Sequence, residues 1–224
     1  PSRETEGYGL NNSAIDEIAR WGVNLIITVD NGISAFDEAK HIYELGMSLV
    51  VTDHHQLTDG KLPKAEAVVN PHREDNAMDF RDFCGVGVAF KFAVAMDEDN
   101  VEDLVAIGTI ADVMPLKEEN RAFVRRGLQK LNNNPRKSLA PLIKRNSNKI
   151  TSQDIAFQIC PRINAMGRMG DAKRAVEFLL CDDAAQAVSA CNSLDEENAN
   201  RQQVEQEIIE DVKKQIKKNP RLVA

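Results

Sequence analysis

At 224 residues and 42% hydrophobic content, with a formal net charge of −7, the chain is large enough to close one sizeable core or two small ones without a covalent staple. No stretch nears the roughly 18 consecutive apolar residues that a membrane-spanning helix requires, and the four cysteines, Cys84, Cys160, Cys181 and Cys191, are scattered without a C-x-x-C pair. These features exclude a membrane span, a disulfide scaffold and a thiolate metal cluster, and they point to a reduced, cytoplasmic setting. The acidity argues against a broad basic surface, so any nucleic-acid contact rests on local basic clusters or on bound cations.

Neither a basic-then-apolar leader nor an initiating Met opens the chain at Pro1, so an excerpt of a longer protein is expected. In chain order, residues 12–20 read as a helix opened by Asn12 or Ser13, and 24–29 as a short buried strand closed by Asp30. A helical pattern over 35–45 ends before Gly46, a second buried strand over 49–52 ends at Asp53, and a third over 67–69 ends at Asn70 and Pro71. This rhythm predicts a parallel sheet covered by helices. Helices follow over 85–96, 101–110 and 121–131, until Asn132, Asn133, Asn134 and Pro135 break the pattern. Thr151 with Asp154 predicts a helix start running to Ile159 and stopped by Pro161. A helix over 172–180 precedes one long, charged helix over 184–218, suited to connecting domains. The expected fold class is α/β, a parallel sheet with covering helices followed by a helical subregion and a long connecting helix.

Three of the four histidines, His54, His55 and His72, fall in loops after the second and third strands. Asp53, His54 and His55 stand at one strand end with Asp30 at the neighbouring one, the edge where open α/β sheets bind ligands. An Asp after a strand is often only a turn former or helix cap, and a single His there is commonly structural. Three contiguous ligand-type side chains at that edge have no common packing role. Oxygen and imidazole donors without thiolates suit Mn²⁺ or Mg²⁺, with zinc as a competitor. Asp112, at the end of an apolar helix, reads in isolation as a helix-end residue. Basic residues gather in Arg121, Arg125 and Arg126, and again in Arg162, Arg168, Lys173 and Arg174; such clusters are more often solvated faces than nucleic-acid sites.

Thr28-Val29-Asp30-Asn31-Gly32-Ile33, Val51-Thr52-Asp53-His54-His55 and Gly108-Thr109-Ile110-Ala111-Asp112-Val113 resemble, in that order, the motifs of the DHH phosphoesterases. Pro1-Ser2-Arg3, Glu6-Gly7-Tyr8-Gly9-Leu10-Asn11, Val69-Asn70-Pro71-His72, Cys84-Gly85-Val86-Gly87 and Arg162-Ile163-Asn164-Ala165-Met166-Gly167-Arg168 resemble more narrowly its RecJ-like exonuclease branch. The resemblance runs essentially from end to end. It implies a catalytic set of Asp30, His54, His55 and Asp112, in which Asp30 bridges two metal ions, His54 and Asp112 are direct ligands, and His55 faces the scissile phosphate. Asp53 would stand behind them and orient an imidazole. Arg3, Arg162 and Arg168 would present planar forks to substrate phosphates, with a surface ion pair as the alternative for each.

The activity so implied is Mn²⁺- or Mg²⁺-dependent hydrolysis of single-stranded DNA from the 5′ end, releasing mononucleotides in DNA repair and recombination. Single-strand-binding protein and a helicase are the implied partners. Members of the branch carry an aspartate-rich motif upstream of the segment that Pro1 opens, so a phosphoesterase core over 1–182, incomplete at its start, and the beginning of an interdomain helix over 183–224 are expected, inactive alone. Two other readings remain open: hydrolysis of small phosphate or short oligonucleotide substrates, and a scaffold that kept the fold without the chemistry. Gly85-Val86-Gly87 and the 162–168 segment favour the exonuclease; Asp30, His54, His55 and Asp112 argue against the scaffold.

Overall fold

Short β-branched runs bounded by polar turn formers have too few residues for a helix and settle into strands. In the computed structural model, which describes residues 8–97, 100–143, 149–168 and 172–218, Leu25–Val29 (β1), Ser48–Thr52 (β2) and Ala67–Val69 (β3) form a parallel sheet in the order β1-β2-β3. Val29 pairs with Thr52, and Thr52 with Val69. Asp30, Asp53 and Asn70 therefore leave the sheet side by side at its carboxyl edge.

Helices Asn12–Arg20 (α1) and Phe36–Glu44 (α2) pack Ile15, Ala39 and Ile42 against Ile26, Leu49, Val51 and Val68. The cap of α1 is one residue earlier than expected, because the Asn11 side chain accepts the Ala14 amide at 2.8 Å. β1 departs from the buried strand that its composition predicts. It lies at the edge of the described sheet and buries only Ile26 and Thr28, while Leu25, Ile27 and Val29 are exposed.

The same unit also holds the helices Gly85–Val94 (α3), Glu102–Ala111 (α4) and Glu118–Asn133 (α5), and the short Ser152–Asp154. A second core joins Phe83, Val88, Phe90, Val105 and Phe123, with Phe90 and Phe123 edge to face at 5.3 Å. Two glycines set how closely the helices approach. A side chain at Gly108 of α4 would overlap Val86 of α3, and one at Gly127 of α5 would overlap Ala106 and the Glu102 carbonyl of α4.

The chain divides into two units, 1–135 with 148–156 and 136–147 with 157–224. In the second, Ala140–Ile143 (α6), Cys160–Arg168 (α8) and Ala184–Lys218 (α10) pack together, and Ala172–Leu180 (α9) packs on α8. Ser152–Asp154 (α7) opens with a complete capping box from Thr151, as its sequence predicts. Pro161, however, does not stop that helix. Residues Ile155–Ile159 adopt a π-helical turn that runs directly into α8. The wider i→i+5 turn supplies the carbonyl displacement that the missing Pro N–H and its ring demand. The long α10 buries Ala187, Cys191 and Leu194 fully, whereas its residues 202–217 are exposed. Among the described residues, no helix is long and apolar enough to cross a membrane.

Candidate metal centre

The turn after β1 is tied from several sides. Thr28 Oγ1 donates to the Asn31 carbonyl at 2.7 Å, Thr52 Oγ1 donates to the Thr28 carbonyl at 2.6 Å, and the Tyr8 hydroxyl donates to the Asp30 carbonyl at 3.1 Å. These contacts hold Asp30 at φ 63°, a left-handed conformation that Asp tolerates at some cost. Gly32 completes the turn at φ 106°, where a side chain would meet Thr28.

Asp53 is 1% exposed, and donors surround both of its oxygens. Oδ2 accepts the Ile33 amide at 3.0 Å, while Oδ1 accepts the His54 amide at 2.8 Å, the His55 amide at 3.2 Å and His55 Nδ1 at 2.7 Å. Burial pushes its pKa up, but the bonds from Ile33 and His55 outweigh that and hold it below the ordinary carboxylate value. Asn70 braces the same loop by donating to the His55 carbonyl at 2.9 Å and accepting the His72 amide at 2.8 Å.

His54 Nδ1 lies 2.8 Å from the Phe83 carbonyl oxygen. A carbonyl only accepts, so Nδ1 carries the proton and the neutral ring presents a lone pair at Nε2. That nitrogen is 3.1 Å from Asp30 Oδ1 and 3.7 Å from Asp112 Oδ2. Asp30 Oδ1 is buried without a hydrogen bond of proper geometry. Lone pairs so placed repel unless a cation lies between them. A proton is one such cation: the adjoining Asp30 carboxylate raises the His54 pKa against the opposing effect of burial, and the charge of Asp112 adds to the rise. A divalent ion is the other, and the donor set fits it. Asp30, His54 and His55 each offer a ligand atom, all within 4.8 Å of one another.

Asp112 reaches this point from the C-terminal end of α4, which closes with Met114 N on the Thr109 carbonyl at 3.2 Å and Val113 at φ 56°. Cys84 is near, 3.4 Å from Thr109 Oγ1, but burial raises its thiol pKa and keeps it protonated, so the donors remain oxygen and nitrogen. His72 sits instead against the Gln56 amide at 3.3 Å. A cleft of about 340 Å³ opens beside His55, lined among others by Tyr8, Asn31, Gly32, Ser34 and Asp53.

The arginines are placed differently. Arg162, in the second unit, donates from Nε to Asp195 at 2.7 Å and from Nη1 to the Gln158 carbonyl at 2.6 Å. Arg3 lies outside the described residues, as does the side chain of Arg168 at the end of α8. Arg121, Arg125 and Arg126 form an exposed face of α5. Sequence reasoning gave no part to the Phe83 carbonyl or to Gly85, whose missing side chain makes room for the Asp30 carboxylate. A backbone acceptor 29 residues from its histidine leaves no local mark. The C-G-V-G run was the one visible signal for Gly85.

Carboxylates and imidazoles converging at the carboxyl edge of a parallel sheet define an α/β protein with a candidate divalent-cation centre. The profile of the DHH family, N-terminal domain, matches residues 2–114, and the chain belongs to that family. It is 41% identical over 210 residues to the single-stranded-DNA-specific exonuclease RecJ of Bacillus subtilis (strain 168), a match covering 91% of this chain and 27% of that protein. To the RecJ of Escherichia coli (strain K12) it is 37% identical over 228 residues, covering 92% and 39%. The crystal structure of exonuclease RecJ bound to manganese matches with a TM-score of 0.85 at 34% identity, over 96% of this chain and 56% of that one. RecJ in complex with Mn²⁺ from Thermus thermophilus matches with a TM-score of 0.79 at 33% identity, over 90% and 31%. The chain thus spans well under half the length of the two curated exonucleases, and it shares the fold of the two RecJ crystal structures.

Proposed function

We propose that the protein carrying this chain is a divalent-metal-dependent phosphodiesterase of single-stranded DNA. In this reading it works from the 5′ end with Mn²⁺ or Mg²⁺ and releases mononucleotides in cytoplasmic repair and recombination, beside a single-strand-binding protein and a helicase. The observation that carries the reading is the convergence of Asp30 and Asp112 on His54 Nε2, with the other ring nitrogen occupied by the Phe83 carbonyl. The similarity to RecJ exonucleases supports the choice of substrate.

Asp30, His54 and Asp112 would hold the divalent ions in this proposal, and the ions would supply Lewis acidity and a water of lowered pKa. The chain supplies position. Phe83 fixes the His54 tautomer, and Asp53 holds the Nδ1–H of His55 so that its other nitrogen faces a phosphate oxygen. Arg3 and Arg168 hold further phosphates, and Arg162 does so by exchanging its Asp195 pair. The core over 1–182 carries the chemistry, and 183–224 begins the helix that links it to further chain.

His54→Ala tests the proposal in the protein that carries this chain. With a 5′-labelled single strand and Mn²⁺, release of mononucleotides should fall at least about a thousandfold, while the thermal transition persists because the loop lies at an edge and not in a core. Cleavage at the unsubstituted rate would remove His54 from the centre.

A further inference from the structure

Gly85, the first residue of α3, is buried against Asp30. A Cβ there would fall on the Asp30 carboxylate, closest to Oδ1 and Cγ, and 2.5 Å from the Asp30 Cβ. Turning the Asp30 side chain does not relieve this, because its own Cβ is in the way; the backbone of one partner must move. α3 has little room to retreat, since Val86 is wedged against Gly108 of α4 and Phe83 and Cys84 are 2% exposed. Asp30 is the partner that gives way, and its backbone already sits in a conformation that penalises side chains. Gly85 itself has no left-handed φ to explain its identity, and a helix favours alanine over glycine. Close approach to Asp30 is the one role left for it.

We propose that Gly85 is a positioning residue of the metal centre: its lack of a side chain holds the Asp30 carboxylate beside His54 Nε2, and any larger residue swings that carboxylate off the ion. This rests on the proposal that Asp30 is a ligand. The test is a cycle of Gly85→Ala, Asp30→Gly and the two combined, in the protein that carries this chain. Asp30→Gly removes the three atoms nearest to the new methyl, Oδ1, Cγ and Cβ of Asp30, and relaxes the left-handed turn.

Two readouts are taken: the melting temperature without metal, and the affinity for Mn²⁺ alone by calorimetry. Gly85→Ala is expected to lower the melting temperature and to weaken Mn²⁺ binding by about tenfold to a hundredfold, the range seen when a group that orients a ligand is lost. In the Asp30→Gly background the same alanine should leave the melting temperature unchanged or raise it. Should Gly85→Ala alone fail to fold, a folded double variant supports the proposal in the same way, and a double variant that also fails to fold counts against it. An equal loss of stability in both backgrounds, or unaltered Mn²⁺ affinity in Gly85→Ala, overturns the proposal. Absence of Mn²⁺ binding by the unsubstituted protein would instead remove the metal reading, with the stability cycle still deciding whether Gly85 acts through Asp30.

Discussion

Asp53 concentrates more hydrogen bonds than any ligand candidate beside it, and all of them need an acceptor. An asparagine of the same shape turns an NH₂ group toward either Ile33 N or the His54 and His55 donors, leaving a buried donor facing a donor. Asp53→Asn should therefore cost about 2 kcal/mol or more at neutral pH. The pH dependence follows from the depressed pKa of the folded state. Above the unfolded value of about 3.9 the stabilisation is fully present, and it is lost as pH falls through the lower folded value. Melting curves of both proteins should diverge most near pH 7 and approach each other in that acid window; a gap independent of pH would mean that the charge of Asp53 is not what the loop uses. At this scale the sequence was legible where candidate ligands are contiguous. Asp53, His54 and His55 declare themselves as a triplet, and strand ends place Asp30 next to them. It was silent where a partner is backbone, as with Phe83, and gave no role where the contribution is an absence, as with Gly85, which stood out only as part of the C-G-V-G run.

The helices behind the centre set its geometry through close packing, because Asp112 can sit 3.7 Å from His54 only if α4 ends where it does. Gly127 is the contact that lets α5 lie against α4. Its replacement by alanine improves helix propensity by about 1 kcal/mol, but the methyl group overlaps both Ala106 and the Glu102 carbonyl, and that carbonyl belongs to a helix backbone that cannot rotate away. Overpacking of this kind costs about 1–3 kcal/mol, so the steric effect is expected to win. Chemical denaturation of Gly127→Ala should show a net loss, accompanied by weaker Mn²⁺ binding if α4 shifts Asp112; a stabilised variant would mean that the two helices part without consequence. Element types were readable from period and length, as for β2, β3, α4 and α9. Pro161 misleads because nothing local announces the π-helical turn of Ile155–Ile159 that lets the chain continue through the proline into α8. Ala140–Ile143 went unseen because four residues carry no period. The composition of β1 predicts a buried strand because it cannot reveal that the strand lies at the edge of the described sheet.

For the whole molecule, a net charge of −7 would oppose the polyanionic substrate of the proposed function, in which a phosphate comes to the carboxylates of Asp30 and Asp112 beside His54. Each approach of phosphate to an unneutralised carboxylate at about 4 Å is unfavourable by about 1 kcal/mol even at the dielectric constant of water, and by more at a partly buried site. Divalent ions reverse the local sign. In the proposed function, affinity for a single strand is thus cation-dependent apart from any role in the chemistry. With an uncleavable phosphorothioate strand and ionic strength held constant, replacing a chelator with Mn²⁺ should tighten binding by about tenfold or more, equivalent to about 1.4 kcal/mol. Asp30→Asn should lose most of that gain, because it removes charge and ligand together. The gain must also survive changes of background salt better than the arginine contacts do, since counterion release weakens those steeply as salt rises. Mn²⁺ should raise the melting temperature of the unsubstituted protein in parallel, because an ion that binds only the folded state stabilises it by mass action, about 2.7 kcal/mol at a hundredfold excess over its Kd. Equal strand affinity with chelator and with Mn²⁺ would place the DNA-binding surface away from Asp30, His54 and Asp112 and leave the basic clusters as its only support.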